Sequence, residues 1–323
     1  MIVTLTPNPS VDRTLFLGTF VRGAVNRCTG TLTEPSGKGI NVALALHSHG
    51  VPVRAVFPAG GPAGAHLVQL LDATGLPYRA MTIAGTTRTN VSMIEADGTS
   101  SKINEPGPTL TSEEVADLVS TTLDWCSSVD WLAICGTLPN GFSERHLIEA
   151  IHAARTAGLR VAVDSSGSTL QGVLKAAPQL VKPNALELAE VTGRLINTIG
   201  DVAAAAQQLR ANGLDTVLVS LGRDGAVLVD GNGALHGRTA AVPAINTVGA
   251  GDAFLAGYLA ADASASPPAD RLASALRYGA TAVQHHGTLL SQVDDRIPVE
   301  VAAADANVTL SEPATSASGG RAL

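Results

Sequence analysis

The chain has 323 residues, with 21 Lys+Arg against 28 Asp+Glu, a formal net charge of −7 and a mean hydropathy of +0.23. That acidity, together with only 3% aromatic residues, argues against a surface built for nucleic-acid phosphates or base stacking. No apolar run nears the ~20 residues of a bilayer span, and the start, MIVTLTPNPSVDR, does not read as a signal peptide because no basic stretch precedes an apolar one.

From the N terminus, Ile2–Thr6 predicts a strand, Asn41–Ser48 a helix, Val53–Phe57 a strand and Ala65–Thr74 a helix. Ser112–Asp124 (helix), Trp131–Cys135 (strand), Arg145–Ala157 (helix) and Arg160–Asp164 (strand) continue the alternation. Leu180–Val181 reads as a strand, Leu186–Thr192 and Val202–Asn212 as helices, and Thr216–Ser220 and Gly225–Val229 as strands. Helices over Ala253–Ala261 and Arg271–His285 close the series. Such alternation predicts an α/β fold with a mostly parallel sheet covered by helices on both faces, and ligands in such folds gather where strands end. Two segments, 11–33 and 86–104, lack helical period and read as strands of a small second sheet. The α/β unit then comprises 1–10, 34–85 and 105–305, and the Ser-, Ala-, Gly- and Pro-rich tail over 306–323 is expected to be disordered. Cys28, Cys126 and Cys135 form no C-x-x-C pair, which fits free thiols in a reducing compartment and a cytoplasmic location.

Several familiar motifs are missing. Gly37-Lys38 is followed by Gly39, with Leu32 where a Walker A loop has its first glycine. Gly249-Ala250-Gly251 has Phe254 in place of the third glycine of a dinucleotide fingerprint, and no G-x-S-x-G elbow occurs. His47/His49 and His285/His286 do not put two rings on one helical face, so they are not read as metal ligands.

Chemistry concentrates at the junctions. In Asn246–Phe254 two glycines lead straight into an Ala/Leu helix, whose first-turn amides form an anion site. Asp252 would repel a phosphate there but accept a proton from a hydroxyl beside it; an ordinary N-cap explains the same aspartate equally well. In Lys182-Pro183-Asn184-Ala185-Leu186-Glu187, Asn184 and Glu187 share a helix face and suit a hydrated Mg²⁺, yet taken alone they fit a capping box better. The turn Gly37-Lys38-Gly39 before Asn41 suits a sugar hydroxyl or a phosphate, or is an ordinary Gly-rich turn into a helix. Lys occupies only positions 38, 102, 175 and 182, so 17 of the 21 basic residues are Arg, and two of the four lysines fall at these junctions. In the second-sheet segments, Asp12, Asn90 and Asn104 suit sugar hydroxyls and Arg88 and Lys102 suit a phosphate, yet taken alone these residues fit a solvated edge sheet better.

TPNPSVD, GKGINVA, KPNALEL, VSLGRDG and NTVGAGDAF stand in the order and spacing of the ribokinase-like (PfkB) carbohydrate kinases, which the chain resembles from about Met1 to Val299. Within that family TRTNVSMIEADG, KINEPGPT, GTLPNGF and VDSSG are most like the branch that phosphorylates fructose 1-phosphate; kinases of tagatose 6-phosphate and fructose 6-phosphate share much of the pattern. The resemblance implies a three-layer α/β/α sandwich with the small sheet as a lid, ATP and Mg²⁺ as cofactors and a sugar phosphate as substrate; the exposed face of the lid, in turn, is expected to favour a homodimer through it. It makes Asp252 the catalytic base and Gly249, Ala250 and Gly251 the anion hole. Asp12, Gly37, Lys38, Asn41, Arg88, Asn90 and Asn104 are expected to hold the sugar phosphate. Lys182, Asn184, Ser220, Gly222, Gly225 and Thr247 are expected beside the nucleotide, with Asn184 and Glu187 at the metal. Three features depart from the family pattern: Ser36 where a glycine is usual, Asn246 where Asp or Ser is common, and the His285-His286 pair, whose role stays open. A catalytically silent sugar or nucleotide sensor on the same scaffold is the reading from outside the enzymes.

Overall fold

Alternating strand and helix signals become, in a computed structural model describing residues 1–126, 130–285, 287 and 292–314, one large sheet with helices on both sides. The elements begin with β1 (Ile2–Leu5), β2 (Ser10–Leu17), β3 (Gly30–Ser36), α1 (Lys38–Ser48), β4 (Val53–Ala59), α2 (Gly61–Asp72) and β5 (Tyr78–Thr82). They continue through β6 (Arg88–Glu95), β7 (Ser100–Ile103), α3 (Ser112–Trp125), β8 (Trp131–Cys135), α4 (Glu144–Thr156), β9 (Arg160–Asp164) and α5 (Gly167–Lys175). Next come β10 (Leu180–Val181), α6 (Ala185–Thr192), β11 (Ile196–Thr198), α7 (Ile199–Ala211) and β12 (Thr216–Ser220). A 3₁₀ turn over Gly222–Asp224 leads to β13 (Ala226–Asp230) and β14 (Gly233–Thr239), then α8 (Ala250–Ala263), α9 (Pro268–Ala282), β15 (Val299–Ala303) and β16 (Thr309–Ala314).

The ten-stranded sheet runs β15-β14-β13-β12-β10-β9-β8-β1-β4-β5. From β12 to β5 every pair is parallel, and β13, β14 and β15 extend it antiparallel. Side chains alternate across each strand. Val3 and Leu5 of β1 therefore join Leu118, Leu147, Leu170, Leu188 and Leu209 of α3 to α7 on one face. Ile2 points the other way, to Ile40, Leu67, Leu255 and Leu272 of α1, α2, α8 and α9. β8 is buried at every position, the pattern of a parallel strand covered on both faces. This is the expected three-layer α/β/α arrangement.

The two segments without helical period form a separate four-stranded sheet, β3-β2-β6-β7, in which β2 runs parallel to β6 and antiparallel to β3. Strands β5, β14 and β15 and helix α5 carry weak sequence signals: β5 and β15 are half-exposed edges, β14 holds two glycines, and α5 opens on a glycine. The expectation of a disordered tail fails over its first part. Leu310 and Ala314 are buried, and β16 pairs antiparallel with β11, because two apolar side chains two turns of the pleat apart find a place in the core beside α6. Residues 315–323 and His286 lie outside the described residues. All three cysteines are free, two of them buried. Among the described residues no helix is long and apolar enough to cross a membrane.

Candidate active site

Helix α8 starts on Gly249, whose left-handed backbone (φ 79°) a β-carbon would strain. The turn is braced by Asn246, whose Oδ1 accepts from the Val248 amide at 3.0 Å. Of the expected anion hole of Gly249, Ala250 and Gly251, the Ala250 amide already donates to the Thr247 carbonyl at 3.4 Å, whereas the first-turn amides of Gly251 and Asp252 lack acceptors within the helix, so this end carries partial positive charge. Asp252 is 6% exposed and accepts a 2.8 Å hydrogen bond from Asn41 Nδ2, reaching across from α1. No side-chain cap bond closes this helix, so the simple N-cap explanation of Asp252 fails. Its burial, and next the neighbouring Asp164 carboxylate, push its pKa up to about 6, against the opposing pull of Lys38, Asn41 and Lys182. Asn41 Oδ1 is buried without a hydrogen-bond partner.

Two lysines meet this carboxylate through a residue the sequence reading passed over. Asp164, at the buried end of β9, takes Lys38 Nζ at 2.9 Å and Lys182 Nζ at 3.1 Å. Burial disfavours its ionised form, but the two ammonium groups outweigh burial and hold its pKa below the usual carboxylate range. Burial likewise works against the Lys38 ammonium and is outweighed by Asp164, Asp252 and Glu187, so its pKa is raised. Lys182 is buried, and its Nζ would stand 3.5 Å from a β-carbon placed on Gly251, which sets an ammonium against the first turn of α8. Lys38 keeps 38% of its side chain exposed, so the cluster meets solvent on the α1 side. The signals for Asp164 were an acidic residue ending the apolar run VAVD and its place in the segment VDSSG.

Asn184 and Glu187 form a full capping box: the Asn184 amide donates to Glu187 Oε2 at 2.8 Å, and the Glu187 amide to Asn184 Oδ1 at 2.9 Å. Local capping accounts for both contacts, while the half-buried Glu187 still acts on Lys38 through its charge. Among the described residues no group of three or more His, Cys, Asp or Glu is arranged to hold a metal. β10 and β12 bring Ser220 beside Pro183, whose carbonyl accepts from the Ser220 amide at 3.1 Å, so the loop Ser220–Gly225 lies against the start of α6. Gly222 and Gly225 both have positive φ within that loop, and Thr247 is exposed before α8.

On the small sheet, Asp12 Oδ1 accepts from Ser10 Oγ at 2.6 Å and from Asn90 Nδ2 at 2.9 Å. Arg88 donates to the carbonyls of Asn8 and Glu105, both at 3.1 Å, so its guanidinium is tied to the chain entering the sheet. Burial lowers its pKa despite Asp12 and Glu105 nearby. β3 runs directly through Gly37 into α1, which places Lys38 at the foot of this sheet. Asn104 is exposed just beyond the end of β7.

A buried carboxylate at a helix N-terminus, with one lysine following the parallel strand β10 and another opening α1, fits a phosphotransferase acting on a hydroxyl. The family model described as pfkB family carbohydrate kinase matches residues 6–295, and the chain belongs to that family. It is 36% identical over 296 residues to a 1-phosphofructokinase of Haloferax volcanii, covering 91% of this chain and 95% of that protein. A 1-phosphofructokinase of Rhodobacter capsulatus is 38% identical over 286 residues, covering 86% and 90%. Among solved structures, Escherichia coli phosphofructokinase-2 in complex with fructose-6-phosphate superposes with a TM-score of 0.83 at 32% identity, covering 88% of this chain and 93% of that one.

Proposed function

We propose that the protein transfers the γ-phosphoryl group of ATP to the C6 hydroxyl of D-fructose 1-phosphate, giving D-fructose 1,6-bisphosphate and ADP. The observation that carries this reading is the Asp252 carboxylate, held by Asn41 at the mouth of a helix against which Lys182 sets an ammonium group. Asp252 takes the hydroxyl proton as the oxygen attacks in line. The Gly251 and Asp252 amides and Lys182 meet charge on the transferred phosphoryl oxygens, the main protein contribution to such reactions. Lys38, Asp12, Asn41 and Arg88 hold the sugar phosphate, and the small sheet closes over it to exclude water as a competing acceptor. The donor set fits Mg²⁺: a hard cation that keeps most of its waters needs one or two protein oxygens, and the Glu187 carboxylate, with the Asn184 amide beside it, supplies them. When bound, the ion neutralises charge along the phosphates. Phe20 (40% exposed), Val21 (51%), Val25 (80%) and Ile103 (59%) lie on or beside the small sheet and support a homodimer through this face.

The deciding experiment offers fructose 1-phosphate, fructose 6-phosphate and tagatose 6-phosphate in one ATP-coupled assay. Fructose 1-phosphate should give the highest kcat/KM, and a higher value on either alternative transfers the assignment to that sugar. Tight ATP binding with no turnover on any of the three makes the protein a sensor. Lys38→Ala should raise KM for the sugar phosphate about 10- to 100-fold with a smaller change in kcat, since it removes a charged contact present in ground and transition states alike. An unchanged KM takes Lys38 out of the phosphate site. The base works only when ionised, and its pKa lies at about 6. Turnover should therefore fall as pH drops through about 6 and level off above it; a profile flat down to pH 5 would contradict the role given to Asp252.

A further inference from the structure

The C-terminal strand β16 lies beyond residue 295, where the match to the family model ends, yet it is fastened to one particular residue of the body. That residue is Asp224, 4% exposed, which closes the 3₁₀ turn after β12. The Ser311 amide donates to Asp224 Oδ2 at 2.8 Å, and the Ser311 hydroxyl donates to Oδ1 at 2.7 Å. Both carboxylate oxygens are thereby engaged by one residue of the tail. Arg238 Nη2 stands 3.5 Å from Oδ1, and His236 Nε2 meets the Asp224 carbonyl at 2.8 Å. The strand is itself anchored by Leu310 and Ala314 in the core and by pairing with β11, so the contact has a rigid support at its back. The carboxylate therefore joins the tail to the loop Ser220–Gly225.

We infer that β16 is a clasp that sets the shape of the nucleotide-facing loop, with Ser311 and Asp224 as positioning residues for ATP. This rests on the reading that the loop Ser220–Gly225 borders the nucleotide. A loop with two positive-φ glycines has little stiffness of its own; the bidentate contact from Ser311 supplies it, and ATP then binds without the cost of ordering the loop. Ser311 itself touches neither substrate nor the reacting atoms. Its hydroxyl is the only group that a change to alanine removes, and its backbone bond and the buried Leu310 remain.

The test measures KM for ATP, KM for the sugar phosphate, kcat and thermal stability on the full-length chain. Ser311→Ala should raise KM for ATP about threefold to tenfold, hydrogen bonds to charged groups being the stronger kind, while kcat and KM for the sugar phosphate stay within about twofold. Ser311→Thr, which keeps the hydroxyl, should restore the wild-type value. Ser311→Glu, which sets a second carboxylate against Asp224, should raise KM for ATP further. Gly222→Asp tests the loop itself: aspartate tolerates the left-handed φ of 58° and brings negative charge toward the phosphates. If Gly222→Asp raises KM for ATP and Ser311→Ala does not, the clasp is refuted and the loop assignment stands. If neither variant moves it, both fall. A Ser311→Ala enzyme that loses thermal stability with unchanged KM for ATP shows a purely structural contact and also overturns the inference.

Discussion

Asp252→Asn should lower kcat by about 10²- to 10⁴-fold, the usual share of a positioned general base, and leave the binding of ATP almost unchanged. Asparagine preserves the shape and can still pair with the amide of Asn41, so the N-terminus of α8 keeps its geometry and its exposed amides. What disappears is the capacity to receive the hydroxyl proton. Stopped-flow measurement of phosphoryl transfer, with ATP binding followed separately by calorimetry, distinguishes the two effects. Turnover within tenfold of the native enzyme would show that another group takes the proton, and with it the central assignment would go.

Asp164→Ala should cost about 3–5 kcal/mol of unfolding free energy, the range for breaking a buried ion pair from one side. The carboxylate is 1% exposed and faces two ammonium groups at 2.9 and 3.1 Å. Removing it leaves like charges facing each other. Lys38, with 38% of its side chain exposed, turns toward water, whereas Lys182 is enclosed and bears most of the penalty. Urea denaturation monitored by circular dichroism reads the loss directly. A cost under about 1 kcal/mol would mean that the lysines rearrange freely and that Asp164 does not organise the cluster. Activity should fall as well, since the same carboxylate aims one lysine at the α1 side and the other at the first turn of α8.

The legible parts of the fold were those with strong local signals. The apolar, β-branched runs of β1, β4, β8, β9 and β12 and the Ala/Leu helices follow from side-chain chemistry over four to fourteen residues. Of the parts that escaped, β5 and β15 are the edges of the large sheet and β16 the last strand of the chain, while β14 lies between β13 and β15 with two glycines weakening its own signal, so their conformation comes from a neighbour and not from their own residues. Asp252, Asn41, Lys38 and Lys182 were each visible as polar residues at strand-to-helix junctions, and the structure brings them together. Asp164 escaped because a single acid at the end of a strand looks like any strand terminus; only its two partners, 126 residues before it and 18 after it, give it meaning. Asn184 and Glu187 show the opposite case: the capping-box pattern was explicit in the sequence, and the structure uses it as such.

The bond between Asn41 and Asp252 joins positions 211 residues apart, and that between Lys38 and Asp164 joins positions 126 apart. On the proposed assignment of Asp252 as the base, no ribosome-bound or proteolytic fragment short of the α8 helix possesses the proton acceptor, and none lacking α1 has the Asn41 bond that holds it. A nascent or half-refolded chain should then be inert toward phosphoryl donors, and the return of turnover after denaturation should mark the closing of the longest-range contacts, a later event than the return of helix content.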